Sequence, residues 1–81
     1  VKLPRDLGAQ ALIKALARMD YRVTRQTGSH LRLQKPGPPE HAITVPNHAP
    51  LRVGTLAAIL AEVARHHGMS REALLLLLFG G

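Results

Sequence analysis

The 81-residue sequence has no cysteine and no tryptophan, and Tyr21 and Phe79 are its only aromatic side chains. Without cysteine, disulfide staples and thiolate metal sites are excluded, and a small core must hold the fold alone. The shortage of rings argues against a module that reads single strands by stacking bases, because such modules need exposed aromatics. Tyr21 is assigned to the core by its strand pattern, so any nucleic acid would be held by backbone and shape.

Acidic residues are also few. Asp6, Asp20, Glu40, Glu62 and Glu72 are scattered, with no close pair. Two-metal nucleases and glycosidases need clustered carboxylates, and neither chemistry fits. The five histidines show no i, i+4 pair that would place two ligands on one helical face, so no metal and no cofactor are expected. Glycine-rich phosphate loops are missing too. Ser29-His30 is adjacent in sequence, but neighbouring strand residues point to opposite faces, which disfavours a serine hydrolase. No apolar run reaches the ~18 residues of a membrane span. The longest runs from Ala73 to Phe79, and the opening VKLPRDLG is too polar for a signal peptide. The expectation is a soluble, cytoplasmic, single domain over residues 1–81.

What the chain does hold is positive charge, unevenly placed. Residues 1–35 carry eight Lys and Arg against two acids, whereas residues 36–81 carry three against three. The whole excess of +6 therefore sits in the first half, which favours a polyanionic partner such as nucleic acid.

Leu7, Ala11, Leu12, Ala15, Leu16 and Met19 form one apolar helical stripe, with Gln10, Lys14 and Arg18 on another face. This predicts a helix over about 8–19, capped by Asp6. From Tyr21 the period changes to two. Tyr21 and Val23, then Leu31 and Leu33 beyond the Thr27-Gly28-Ser29 turn, make a hairpin in which Gly28 supplies a positive φ. Ile43 and Val45 mark a third strand ended by Pro46. Leu56, Ile59, Leu60 and Val63 stripe a second helix over 53–66, with Gly68 at its C-terminal cap. Ser70 caps a short last helix through Phe79 whose leucine run, Leu74 to Leu78, suggests a dimer or heterocomplex surface. The fold class is α+β: a two-layer α-β-β-β-α domain with a three-stranded antiparallel sheet and an added C-terminal helix.

If Tyr21, Val23, Leu31, Leu33, Ile43 and Val45 pack on the helices, then Arg22, Thr24, His30, Arg32 and Thr44 share the exposed sheet face. That set suits metal-free RNA cleavage, in which the substrate's own 2′-OH attacks the adjacent phosphate. The protein then supplies a proton-transfer group with a pKa of about 7 and cations for the phosphate. His30 fits the first need, and Arg22 and Arg32, helped by Lys14 or Lys35, fit the second. Ser29 could contact phosphate or serve the turn. His48 lies in a loop able to swing beside the sheet as a second acid–base or phosphate group. His41, His66 and His67 read as surface residues.

An ordered set of short motifs resembles the HicA toxins, messenger-RNA interferases of toxin–antitoxin pairs. It runs through Leu3-Pro4, Leu12-Ile13-Lys14, Tyr21-Arg22-Val23, Gly28-Ser29-His30, Thr44-Val45-Pro46 and His48. It closes with Leu51-Arg52-Val53-Gly54-Thr55-Leu56, Ile59-Leu60 and Ser70-Arg71-Glu72. The resemblance implies a fold similar to the double-stranded-RNA-binding domain, with His30 as the catalytic residue. It also implies RNA as substrate and a HicB-type antitoxin covering the active face. One departure is Asp20, where the family usually has glycine, so the turn after the first helix is expected to be built differently. A second reading, a non-catalytic double-stranded-RNA-binding module, uses the same fold and charge. A third makes the chain chiefly an interaction protein, through its leucine-rich end.

Overall fold

A computed structural model describes residues 3–80. Val1, Lys2 and Gly81 lie outside the described residues, Lys2 being one of the basic residues of the first half. Helix α1 (Ala9–Leu16) continues as a 3-10 turn over Ala17–Met19. Strands β1 (Arg22–Thr27), β2 (His30–Lys35) and β3 (His41–Pro46) come next, then helices α2 (Val53–His66) and α3 (Arg71–Phe79). The strands form one antiparallel sheet in the order β1-β2-β3. The architecture is the expected α-β-β-β-α layer pair, similar to the double-stranded-RNA-binding domain, with α3 added.

Alternation decides the layers. Leu31, Leu33, Ile43 and Val45 are buried in one cluster with Leu12, Leu16, Leu56, Leu60, Val63 and Leu74. Their strand neighbours His30, Arg32, Gln34 and Thr44 are exposed on the opposite face. Each leucine removed from water here contributes about 1.5–3 kcal/mol. Tyr21 is fully buried, as its strand pattern requires.

Val23 does not follow the expectation: it is 43% exposed. It stands opposite Leu33, but β1 is an edge strand, and the register slips by one residue between Val23 and Arg25. Every residue of β1 is exposed, whereas the helix layer buries the apolar faces of β2 and β3.

The helix ends explain themselves locally. Asp6 does not cap α1. The N-cap is Gly8, Asp6 has φ 56°, and the first helical amide, Ala9 N–H, donates to the His48 carbonyl (2.9 Å). A main-chain acceptor from the loop after β3 replaces the side-chain cap. Asp20 adopts the left-handed conformation (φ 70°, ψ 18°), so the turn keeps the geometry glycine would favour rather than finding another. At the end of α2, Gly68 has φ +62°, its amide donates to the Arg65 carbonyl, and the Met69 amide donates to the Ala64 carbonyl. That is a Schellman ending. Ser70 Oγ accepts from the Ala73 amide (3.0 Å) and starts α3. Arg18 donates to the Leu77 and Leu78 carbonyls (3.3 Å each), tying the end of α3 to the 3-10 turn that follows α1. Helix α3 buries Leu74, Leu75 and Leu78 and exposes Leu76 and Leu77.

His41, His66 and His67 are not surface residues. All three are half-buried: His41 and His67 meet at the hydroxyl of Tyr21, and His66 stacks on His41. The residues lie in β3 and at the end of α2, and only the packing of sheet on helix brings them together.

Candidate functional site

His30 is the first residue of β2, paired with Thr27 of β1 on one side and Pro46 of β3 on the other. The turn before it is fixed by Gly28, at φ +57°. The Asn47 amide donates to the Ser29 carbonyl (2.6 Å), which fastens the exit of β3 to this turn. Ser29 itself is exposed. The His30 side chain is therefore presented at a corner where three main-chain segments meet.

Two grooves adjoin at that corner. One, of about 510 Å³, lies on the exposed sheet face and is lined by Thr24, Arg25, Thr27, His30, Arg32, Gln34 and Thr44. The other, of about 570 Å³, lies beyond the end of β3 and is lined by His30, Pro46, His48, Arg52, Thr55 and the loop between them. Among the described residues, no carboxylate lines either groove. A surface made chiefly of cations, imidazoles and hydroxyls attracts anions and offers a hard cation no carboxylate. Among the described residues, no group of three or more His, Asp or Glu side chains is placed to hold a metal ion.

The loop carrying His48 does not need to swing. Its main chain is held at three points: Asn47 on Ser29, the His48 carbonyl on Ala9 N–H, and Leu51 N–H on the Leu7 carbonyl (2.7 Å). His48 is thereby stationed in the same groove as His30. Helix α2 opens on this groove through its N-cap Arg52 and through Thr55. The first-turn amides of a helix have no intrahelical acceptor, and its dipole favours negative charge at that end.

The cations differ from those expected. Arg32 is in place on the sheet face, where it donates to Thr44 Oγ1 (3.0 Å). Arg22 is not in the groove. Its guanidinium donates to the Ala17 and Tyr21 carbonyls (3.2 and 3.1 Å). The slip after Val23 brings Arg25 opposite Arg32 and puts it in the groove instead. Lys14 is exposed on α1, in the helix layer, and lines neither groove. Lys35 shares the strand parity of Leu31 and Leu33 and is half-buried at the far end of β2, its ammonium donating to the Pro36 carbonyl (3.3 Å). Sequence reasoning missed Arg25 and Arg52. A bulge leaves no mark on an alternating pattern, but Arg52 had one: it immediately precedes the helix whose start the pattern places at residue 53.

No helix among the described residues is long and apolar enough to cross a membrane. Searches among curated proteins and among solved structures returned no match to this chain. The family model described as the HicA toxin of bacterial toxin–antitoxin systems matches residues 9–69. That span runs from the first residue of α1 to the Schellman turn after α2, and so includes His30, His48, both grooves and all three strands. The chain belongs to the HicA toxin family.

Proposed function

We propose that this protein is a metal-independent endoribonuclease, the messenger-RNA interferase of a toxin–antitoxin pair acting in the cytoplasm. The observation that carries the reading is the position of His30, where a groove with Arg25 and Arg32 meets one with His48 and Arg52. A phosphodiester seated at the corner has imidazoles beside it and guanidiniums on either side.

The step asks for little else. A base removes the proton of the 2′-OH, the 2′-oxygen bonds to phosphorus, and the P–O5′ bond breaks as an acid protonates the leaving oxygen. Products are a 2′,3′-cyclic phosphate and a 5′-hydroxyl. His30 takes one proton-transfer role, with His48 stationed for the other. Histidine changes charge near neutral pH, and a positioned acid or base contributes about 10²–10⁴-fold. Arginine stays charged and grips phosphate with two N–H groups at once. The partner reading rests on the family, toxins that pair with antitoxins: a HicB-type antitoxin with an acidic surface would complement the +6 chain and cover the same grooves.

A mixed-sequence RNA incubated with the purified protein and with His30→Ala, both in EDTA, tests the proposal. Cleavage by the parent alone, leaving cyclic-phosphate ends, is the expected result. If both proteins bind the RNA and leave it intact, the same basic sheet belongs to a non-catalytic double-stranded-RNA-binding module.

A further inference from the structure

The half-buried histidines form a hydrogen-bonded chain far from His30. The Tyr21 hydroxyl lies 2.7 Å from His41 Nδ1 and 3.0 Å from His67 Nε2, and His41 Nε2 lies 3.1 Å from Glu62 Oε2. Glu62 is also paired with Arg65. The His66 ring stacks on His41 with centroids 3.9 Å apart and planes 7° from parallel. The chain runs from Glu62 of α2 through His41 of β3 to Tyr21, just before β1, and back to His67, the residue after α2. It spans the two layers at the end of β3 opposite His30, since His41 faces Lys35 and Pro46 faces His30.

Donor bookkeeping limits how many protons the chain holds. A carboxylate only accepts, so His41 Nε2 carries a hydrogen toward Glu62. With His41 neutral, its bare Nδ1 accepts from Tyr21 O–H, and Tyr21 oxygen accepts from His67 Nε2–H. With a proton on His41, the chain reverses: His41 Nδ1–H donates to Tyr21, and Tyr21 O–H donates to a bare His67 Nε2. Either arrangement satisfies every member. When His41 and His67 are both protonated, Tyr21 faces two donors and its own O–H loses its acceptor inside the core, a loss that destabilises the folded state.

The surroundings also resist charge on His67. Burial, first, and the neighbouring His66, Lys35 and His41 hold its pKa below the usual 6.5. Tyr21 contributes no negative charge, because burial pushes its hydroxyl up to about 12, with Glu62 adding to the effect. The one carboxylate of the cluster, Glu62, is held below its ordinary range, chiefly by the His41 hydrogen bond with Arg65 adding, and it faces His41 rather than His67.

We infer that the Glu62–His41–Tyr21–His67 chain is an acid-sensitive latch, which clamps β3 and Tyr21, the residue before β1, to the end of α2 while His67 is neutral and weakens when acid forces a proton onto His67. A histidine with a depressed folded-state pKa contributes its stability in full above the ordinary value and loses it as pH falls below that value. The loss therefore begins as pH falls below about 6.5, above the range in which carboxylates titrate. The inference does not depend on ribonuclease activity.

Urea denaturation followed by far-ultraviolet circular dichroism, repeated from about pH 8 to about pH 5, tests it. For the parent the unfolding constant should rise by up to about 30-fold over that interval. His67→Gln keeps an N–H donor for Tyr21 but cannot gain a proton, so its midpoint should stay nearly flat. A flat parent curve, or a His67→Gln curve as steep as the parent's, would overturn the latch. If His67→Gln does not fold, the imidazole proton resonances of the parent decide. A depressed midpoint for His67 supports the latch, and an ordinary one overturns it.

Discussion

His30 stands directly opposite Pro46 in the β2–β3 ladder, and this pairing is what brings His48 to His30. Pro46 ends the strand because it has no amide to donate, and the chain turns at once: His48 N–H donates to the Pro46 carbonyl (2.9 Å). The second imidazole arrives two residues past the end of β3. Its place is then fixed by the helix α1, through Ala9 N–H on its carbonyl.

If the two histidines divide the proton transfers, the pH profile of kcat/KM should be bell-shaped, and His48→Ala should lose one limb as well as about 10²–10⁴-fold in rate. His30→Ala should lose the reaction altogether, with RNA binding reduced much less. A His48→Ala variant with parental rate and profile would remove His48 from the chemistry and leave it a lining residue.

Arg25 and Arg22 should behave oppositely in spite of their nearness in sequence. Arg25→Gln and Arg32→Gln each remove a groove cation, so each should weaken RNA binding and lower the salt slope by about 1. Arg22→Gln removes a guanidinium committed to the Ala17 and Tyr21 carbonyls and should leave the slope unchanged. Binding isotherms at several salt concentrations separate the cases. Equal slopes for the parent and Arg25→Gln would mean that the bulge does not bring Arg25 to the phosphate.

Thr44 should matter through Arg32. The Thr44 hydroxyl accepts from Arg32 Nη1 on an otherwise open sheet face and restricts the guanidinium. Thr44→Val should weaken RNA binding several-fold, and Thr44→Ser should restore it, because Ser keeps the acceptor. If Val and Ser variants bind alike, the Thr44 hydroxyl does not position Arg32.

These predictions draw on structure that was unevenly legible. The helix over 53–66, the Gly68 ending and the Ser70 cap could be read because each is a local arrangement of residues three to five apart. The exposed face carrying Thr24, His30, Arg32 and Thr44 was legible for the same reason, by strict alternation. Arg25 was not, since the slip in β1 is imposed by pairing with β2 and reverses the parity of the strand residues beyond it. The cluster at Tyr21 was beyond reach: His41 and His67 lie 20 and 46 positions from it, and nothing in either flank announces the contact. Asp6 misled because a capping side chain and a loop carbonyl serve the same amide equally well.

Asp20 places a Cβ in left-handed backbone at an exposed turn, a cost that glycine avoids. Glycine gives part of that back, through greater freedom in the unfolded chain. Asp20→Gly should therefore raise stability by about 0.5–1 kcal/mol in urea denaturation, with RNA cleavage unchanged. A loss of stability would mean that the Asp20 side chain supplies a contact worth more than the strain.

Tyr21 offers the sharpest test of the core, since the chain has one tyrosine and no tryptophan and its phenol absorbs alone. Burial, aided by Glu62, raises its pKa from 10.0 to about 12. The unfolded chain ionises at the lower value, so it holds fewer protons than the folded chain between the two. Stability is then complete below pH 10 and falls as pH rises toward about 12, by about 3 kcal/mol across the interval. An absorbance titration of the native protein should show the phenolate appearing near the upper value, or abruptly where the fold gives way. Tyr21→Phe, which removes the ionisable group, should cancel the alkaline loss while costing stability at neutral pH, where His41 and His67 lose their shared partner. A native phenol that titrates smoothly at its ordinary value would place Tyr21 in contact with water and break the chain of bonds from Glu62 to His67 at its centre.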